Sequence, residues 1–176
     1  MKILIINNET KNIDEIIKLF PGDNISVCGL WENFDENKYD LYILSWWSHH
    51  SVFFEPSPYQ KEINFIKNTD KKVIWICLWC QIIAKTFDAI IEELPQKIIW
   101  TINISYADKI YKVFEAHRYS IKTLWKELVW LGQSKYGYEI IKHKNKNIRW
   151  FQFHPEKHMG NNMWMELLQK IVYENN

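Results

Sequence analysis

Short apolar runs alternate along this chain with segments in which apolar residues recur at helical spacing. Runs of four to seven apolar residues predict strands, and the helical spacings predict helices that bury one face. Pro21-Gly22 ends the first helix, and Pro95 closes the third. The predicted strands are residues 2–6, 25–28, 41–44, 73–76, 98–104, 111–115, 137–142 and 148–153, and the predicted helices are residues 13–20, 58–66, 81–94 and 163–173.

This alternation of strands and helices predicts a single α/β domain over residues 1–176. Its sheet is expected to be doubly wound and mostly parallel, with helices on both faces and some antiparallel pairing from the late hairpin. Ligands of such folds bind outside the carboxyl ends of the strands. Ser45 to His50 follow one predicted strand, Cys77 follows a second, and His154 follows a third. We therefore expect these segments to share one edge of the sheet.

Composition narrows the function classes. The chain has 22 basic and 21 acidic residues, so no strongly basic surface for binding nucleic acid or an anionic membrane is expected. The basic run around Lys142 and Lys146 is interpreted as a turn between two strands. No apolar segment approaches the length of a membrane span. The three cysteines do not form a disulfide framework, which favours a reducing cytoplasm. Cys28, in mid-strand, is expected in the core.

Three side chains at the predicted edge suit acyl-transfer chemistry. Cys77 lies where a strand turns into a helix, and the helix N-terminus and a nearby imidazole would both favour its thiolate. His154 and Glu156 are two residues apart in an extended segment, so the carboxylate can orient the imidazole. A buried structural cysteine and two solvated polar residues are the alternative reading of the same positions.

Four segments resemble motifs of class I glutamine amidotransferases. Residues 76–81, Ile-Cys-Leu-Trp-Cys-Gln, resemble the family's nucleophile motif Gly-Ile-Cys-Leu-Gly-x-Gln. Residues 152–156, Gln-Phe-His-Pro-Glu, are similar to its histidine motif, and Ser-Trp-Trp-Ser at 45–48 stands where the family has Ser-Gly-Gly-Pro. Residues 115–119 lie where the family has a histidine-containing strand that contacts glutamine. The four segments occur in family order.

The resemblance implies a flavodoxin-like fold and hydrolysis of glutamine to glutamate and ammonia. Cys77 would form a thioester, His154 would act as acid and base, and Glu156 would orient His154. Backbone N–H groups of Leu78 and of the loop containing Trp46 and Trp47 would hold the oxyanion. The residues expected to contact the substrate are Gln81, His117, Arg118 and Tyr119.

The resemblance also implies that no metal or organic cofactor is needed and that ammonia passes to a synthase partner. The compact length and the segment from residue 138 to 156 are similar to the separate glutaminase subunit of two-chain GMP synthases. The anthranilate or aminodeoxychorismate type is the alternative partner.

Tryptophan stands at the positions where the family has glycine. The chain has ten Trp and five Gly, whereas an ordinary composition of about 7% Gly would give roughly 12. Indoles at Trp75 and Trp79 are expected to clash with a tight strand-to-helix turn, and those at Trp46 and Trp47 to close the substrate pocket. Overpacking costs about 1–3 kcal/mol per site. Trp150 also stands where the family has glycine. Trp130 is expected in a turn, and Trp31, Trp100, Trp125 and Trp164 fall near element boundaries.

Other functions remain open from the residues alone. Cys77 and Cys80 form a C-x-x-C pair that could be a redox site, although this leaves His154 and Glu156 without a role. Zinc binding through His117 or His154 is a further possibility, but four ligands with structural spacing are not evident. The same triad would also suit a stand-alone γ-glutamyl hydrolase. A scaffold that kept the fold and lost the activity is the non-enzyme alternative.

We expect that many of the ten tryptophans are glycines in the native protein, because some bacteria read the codon UGA as glycine whereas other codes read it as tryptophan. The native protein should then have an intact mass below that of the printed sequence. Mass spectrometry of the native protein checks this, and UGG codons at positions 75 and 79 would contradict it.

Overall fold

The computed structural model describes residues 1–30, 32–46, 59–77, 82, 86–87, 89–157 and 163–173. The predictions that concern Trp31, Trp47 and residues 78–81 lie outside these ranges. The strands are β1 (Lys2–Asn7), β2 (Asn24–Gly29), β3 (Leu41–Leu44), β4 (Lys72–Ile76), β5 (Ile90–Tyr106), β6 (Lys109–Thr123), β7 (Leu128–Ser134), β8 (Gly137–His143) and β9 (Ile148–Phe151), and the helices are α1 (Ile13–Ile17), α2 (Gln60–Asn68) and α3 (Met163–Tyr173).

Within the described residues, nine strands form one sheet in the order β2-β1-β3-β4-β9-β8-β7-β5-β6. The five strands from β2 to β9 pair in parallel, as a doubly wound α/β domain requires. From β9 outward the pairings are antiparallel, so this part of the sheet is larger than the single late hairpin expected. The predicted α/β class is confirmed, with parallel and antiparallel halves joined at β9.

Helices cover both faces of the parallel half because its strands are apolar on both sides. Ile3 and Ile5 of β1 pack on the face that carries α1 and α3, whereas Leu4 and Ile6 pack on the face of α2. This division follows from the alternation of side chains along a strand. The buried residues of α3 recur at helical spacing and are Trp164, Leu167, Leu168, Ile171 and Val172. No helix in the described ranges is long and apolar enough to cross a membrane.

A long antiparallel hairpin of β5 and β6 replaces part of a predicted helix. Residues 90–94 were expected to end the helix before Pro95, but they begin β5 and pair with residues 119–123. Pro95 lies at a register irregularity between Glu93 and Ile98. Proline is tolerated at such a bulge because no ladder hydrogen bond is needed from it. The helix prediction was wrong here because cross-strand pairing outweighed local periodicity.

Two of the tryptophans expected at turns or element boundaries lie inside strands instead. Trp130 lies in β7, between Val129 and Leu131, and is stacked on Tyr138 of β8. Trp100 lies in the middle of β5. Both indoles are partly exposed, since this half of the sheet has solvent on one face. A glycine-like sequence context therefore did not predict a turn at either position.

Trp75, at the end of β4, is buried on the α2 face of the sheet. Its fully buried side chain packs in an edge arrangement with Trp150, with ring centroids 5.8 Å apart. Both indoles lie on the α2 face, whereas Cys77 packs in the cluster on the opposite face. Residues 75 and 77 fall on different faces because the chain leaves the regular strand after Ile76 and Cys77 adopts a left-handed conformation. The predicted clash of Trp75 with the turn stays a prediction, because residues 78–81 of the turn lie outside the described residues.

Candidate active site

Three parallel strands bring the predicted catalytic segments to one edge of the sheet. Leu44 of β3 pairs with Trp75 of β4, and Ile76 pairs with Phe151 of β9. Because these three strands are parallel and paired in this register, their carboxyl ends lie side by side. The residues that follow them, Ser45 and Trp46, Cys77, and residues 152–156, therefore lie together at the carboxyl edge, where ligands of α/β sheets bind.

Cys77 has an unusual backbone conformation directly after β4. Its φ is +61°, in the left-handed region that residues with a Cβ rarely adopt. Its N–H donates a 2.7 Å hydrogen bond to the Phe151 carbonyl oxygen, which ties the turn to β9. Such strain costs about 1–3 kcal/mol and persists where the surrounding structure imposes it. A strained strand-end turn of this kind is typical of nucleophiles presented at the edge of a sheet.

His154 and Glu156 form a buried pair beyond β9. The His154 Nδ1 lies 2.8 Å from Glu156 Oε1, and the His154 side chain is 2% exposed. With the carboxylate accepting from Nδ1–H, the neutral ring carries its lone pair on Nε2. That nitrogen is buried and has no hydrogen-bond partner among the described residues. The backbone N–H of His154 donates to the Phe114 carbonyl oxygen at 2.9 Å, which fixes the segment against β6.

Trp46 lies against the imidazole of His154. The two rings are edge to face, with centroids 5.1 Å apart and planes at 90°. Cys77 is only 5% exposed and packs in the same apolar cluster that Trp46 borders. The indole therefore lies directly beside the imidazole of His154. The closure of the substrate pocket by Trp46 stays a prediction.

Asn8, for which the sequence predicts no role, holds the loop that begins at Ser45. Asn8, at the end of β1, donates from Nδ2 to the Ser45 carbonyl oxygen at 2.9 Å. Its backbone N–H donates to Ser45 Oγ at 2.9 Å. Nearby, burial raises the pKa of Glu62 well above its usual range. A lone asparagine after a predicted strand belongs to no recognisable motif. Its contact with Ser45 is evident only from the structure, in which the ends of the two strands lie side by side.

The predicted substrate residues are divided between the interior and the surface. His117 is buried on β6, and its Nδ1 donates to the Tyr119 carbonyl oxygen at 2.8 Å. Arg118 points outward and pairs with Glu93 at 2.8 Å, where solvent keeps the energy of the ion pair small. Tyr119 is half-buried. The structure therefore does not bring all three side chains to one surface, and the predicted contacts of Leu78, Trp47 and Gln81 lie outside the described residues.

Two buried carboxylates beside His117 were not assigned a role from the sequence. Glu115 Oε2 lies 3.0 Å from His117 Nε2, and Glu139 of β8 completes a cluster of three. Burial raises the pKa of Glu115 to about 8. Burial and then the neighbouring Glu115 raise the pKa of Glu139 well above its usual range. The spacing of Glu115 and His117 in a strand could have predicted that they share a face, but nothing local predicts Glu139.

Comparison with known proteins now decides the family. Residues 47–172 match the family described as Glutamine amidotransferase class-I. The chain belongs to this family. The match includes Cys77, His154 and Glu156 and spans most of the chain, so the predicted family is confirmed. Comparison with curated proteins found no match.

Solved structures confirm the flavodoxin-like amidotransferase fold. A protein from Thermoplasma acidophilum, provisionally designated as one of the subunits of a GMP synthase, superposes with a TM-score of 0.79 at 18% identity, covering 97% of this chain and 92% of that one. A glutamine amidotransferase from Thermotoga maritima gives a TM-score of 0.72 at 16% identity, covering 89% of this chain and 76% of that one. At these identities the likeness concerns the fold alone.

The buried carboxyl of Glu115 should make the stability of this amidotransferase-family chain depend on pH. Folded Glu115 keeps its proton up to about pH 8, whereas an unfolded glutamate loses it near 4.5. Between these two pH values, unfolding releases a proton from Glu115. The contribution of Glu115 to the free energy of unfolding is therefore fully present below pH 4.5 and is lost as the pH rises through about 8. In Glu115→Gln we expect the free energy of unfolding to fall less steeply as the pH rises, with a slope that is less negative by about 1 kcal/mol per pH unit.

Urea denaturation across this pH range, with a chelator present, measures both slopes. Glu166→Gln, which removes an exposed carboxylate of α3, is the matched control and should keep the wild-type slope. Equal slopes in Glu115→Gln and the wild type would show that Glu115 is ionised in the folded chain.

Proposed function

We propose that this chain is the glutaminase component of an amidotransferase, which hydrolyses glutamine to glutamate and ammonia. The observation that supports it most directly is the left-handed Cys77, hydrogen-bonded to β9, at the edge that also carries the buried His154–Glu156 pair. A strained cysteine and an oriented imidazole on adjacent strand ends are what nucleophilic attack on a carboxamide requires.

In the proposed reaction, His154 Nε2 takes the proton of the Cys77 thiol, and the Cys77 sulfur attacks the side-chain carbonyl carbon of glutamine. The oxyanion that forms accepts hydrogen bonds from the backbone N–H of Leu78 and from the loop of Trp46 and Trp47. As the tetrahedral intermediate collapses, the C–N bond breaks, and His154 Nε2 gives a proton to the departing ammonia. His154 then takes a proton from water, which attacks the thioester and releases glutamate and the thiol.

Glu156 acts in this scheme through His154. Its contact with Nδ1 holds the ring in the tautomer with Nε2 unprotonated, and its negative charge stabilises the imidazolium that forms in each half-reaction. The burial of both side chains strengthens this electrostatic effect. Gln81 and the backbone around Arg118 and Tyr119 are the proposed contacts for the amino-acid end of glutamine.

The ammonia is proposed to pass to a partner synthase. The Thermoplasma acidophilum protein, which this chain matches over almost its whole length, favours a partner of the GMP synthase type. Hydrolysis without transfer would waste glutamine, so a partner that consumes ammonia suits the chemistry. The reaction is expected in the cytoplasm.

A second candidate function is an inactive scaffold, and one contact favours it. The Trp46 indole packs edge to face with the His154 imidazole, with ring centroids 5.1 Å apart, at a position where the resembling family has glycine. If tryptophan is the native residue, the pocket is closed to glutamine. The two candidates differ in whether Cys77 can be reached by a substrate-sized molecule.

Replacing the two loop tryptophans should open the site to a substrate analogue. We expect a diazoketone analogue of glutamine to label Cys77 about tenfold faster in the double variant Trp46→Gly/Trp47→Gly than in the unchanged chain. The reason is that the Trp46 indole no longer lies beside His154. Peptide mass spectrometry locates the label. Adding Cys77→Ala to the double variant is the control and should abolish labelling, and a folded double variant without labelling would favour the scaffold.

Removing the carboxylate beside His154 should slow labelling without unfolding the chain. In the same double variant, Glu156→Gln should reduce the labelling rate at neutral pH by about tenfold or more, because the imidazole loses its orientation and charge stabilisation. Glu166→Gln replaces an exposed glutamate of α3 and should leave the rate unchanged. Equal rates for the two glutamate variants would show that Glu156 does not position His154.

A further inference from the structure

A second group of titratable side chains lies buried in the antiparallel half of the sheet. Glu115 and His117 of β6 and Glu139 of β8 each place one ligand atom within 4.8 Å of the other two. All three side chains are buried, and Glu115 is 0% exposed. Glu115 and His117 share a face because they are two residues apart in a strand. None of them belongs to the proposed triad.

The end of β6 packs against the start of β8, and this packing completes the group. A Cβ on Gly137 would lie only 2.9 Å from the Ile121 carbonyl oxygen, so glycine permits the close approach. Glu139 follows two residues later and thereby reaches Glu115 and His117. The cluster therefore depends on a tertiary contact between strands that are not neighbours in the sheet order.

The inner nitrogen of the cluster lacks a hydrogen-bond partner among the described residues. His117 Nε2 is buried and forms no hydrogen bond, whereas the carboxyls of Glu115 and Glu139 hydrogen-bond to each other. His117 Nε2 and Glu115 Oε2 are 3.0 Å apart, but they are not aligned as a donor and an acceptor. A buried nitrogen without a partner is costly and rare, which points to a ligand that would bind it together with the two carboxyls.

The outer atoms of two members are held by hydrogen bonds that orient the inner ones. His117 Nδ1–H donates to the Tyr119 carbonyl oxygen at 2.8 Å, so the lone pair of the neutral ring is on Nε2. Ser134 Oγ donates to Glu139 Oε1 at 2.6 Å and leaves Oε2 directed elsewhere. Hydrogen bonds of this kind behind the ligands are characteristic of metal sites, where they fix the tautomer and the orientation of each ligand.

We propose that Glu115, His117 and Glu139 form a binding site for a divalent metal ion of the zinc type. One imidazole nitrogen and two carboxylate oxygens match the ligands of Zn²⁺ and leave a fourth position for water. Tetrahedral bonds of about 2.0–2.1 Å place ligand atoms about 3.3 Å apart, close to the 3.0 Å between His117 Nε2 and Glu115 Oε2. Ca²⁺ prefers six or more oxygen ligands and fits this site less well.

The site lies next to the segment that carries the proposed base. The carbonyl oxygen of Glu139 accepts a hydrogen bond from Gln152 N–H, and that of Phe114 accepts one from His154 N–H, both at 2.9 Å. A bound cation would bind the carboxyls of Glu115 and Glu139 together and would tie β6 to β8 on either side of this segment. We therefore expect the metal to stabilise the chain.

Metal binding by the full chain tests the proposal. The experiment uses Cys77→Ser, because the Cys77 thiol could itself bind Zn²⁺. Calorimetric titration with Zn²⁺ should show one equivalent bound and a raised Tm. Co²⁺ should give the visible absorption of a site with nitrogen and oxygen ligands, without the charge-transfer band of a thiolate.

Three variants in the same background separate the cluster from other sites. Glu139→Gln removes a ligand and should weaken Zn²⁺ binding by about 100-fold, whereas Ser134→Ala removes only an orienting bond and should weaken it by about tenfold. Glu62→Gln is the matched control, since it replaces a buried carboxyl outside the cluster, and it should bind Zn²⁺ as the background does.

Two outcomes would overturn the proposal. One is a folded chain, verified by circular dichroism, that binds neither Zn²⁺ nor Co²⁺, which would mean that the cluster holds protons only. The other is binding that is unchanged in Glu139→Gln. Neither outcome depends on Cys77 chemistry, so the glutaminase proposal can fail or stand independently.

Discussion

The hydrogen bond from the Cys77 N–H to the Phe151 carbonyl oxygen joins the two strands that carry the proposed nucleophile and base. It continues the parallel ladder of β4 and β9 by one residue, at the point where Cys77 takes its left-handed conformation. A register slip of one residue would turn every side chain of β9 to the opposite face. The geometry of the proposed active site therefore depends on this pairing more than on any contact between its side chains.

The register is itself secured by burial on both faces of the parallel half. Ile74 and Ile76 pack toward α1 and α3, while Val73 and Trp75 pack toward α2. Both faces of the parallel half are apolar and covered by helices. A shift in register that turned the side chains of a strand to the opposite face would therefore bury no additional apolar surface. The same two-sided core accepts the indoles of Trp75 and Trp150, which contact each other away from Cys77. The indole of Trp46, in contrast, contacts the imidazole of His154.

Buried polar groups concentrate around the carboxyl edge. Asn8 fixes Ser45, Glu156 fixes His154, and the cluster of Glu115, His117 and Glu139 lies behind the segment from Gln152 to His154. Burying so many polar groups reduces stability unless each has a partner. A group of buried polar side chains at one edge is the arrangement expected where function takes precedence over stability.

Several elements could be read from local sequence. The apolar runs at 41–44 and 73–76 and the helical spacing at 163–173 predicted β3, β4 and α3 to within one residue, because burial selects those patterns directly. Residues 90–94 and Trp130 were assigned wrongly, because a long hairpin is stabilised by partners that are distant in the chain. Local periodicity contains no information about such partners.

By itself, the sequence determined which reactive groups are available and that Cys77, His154 and Glu156 follow strands. Only the tertiary structure decided that Trp46 contacts His154, that His117 turns inward, and that Glu139 joins Glu115. The reason is physical: residue type and strand position follow from short-range patterns of burial, whereas these contacts arise where segments far apart in the chain are packed together, and their energies depend on that packing.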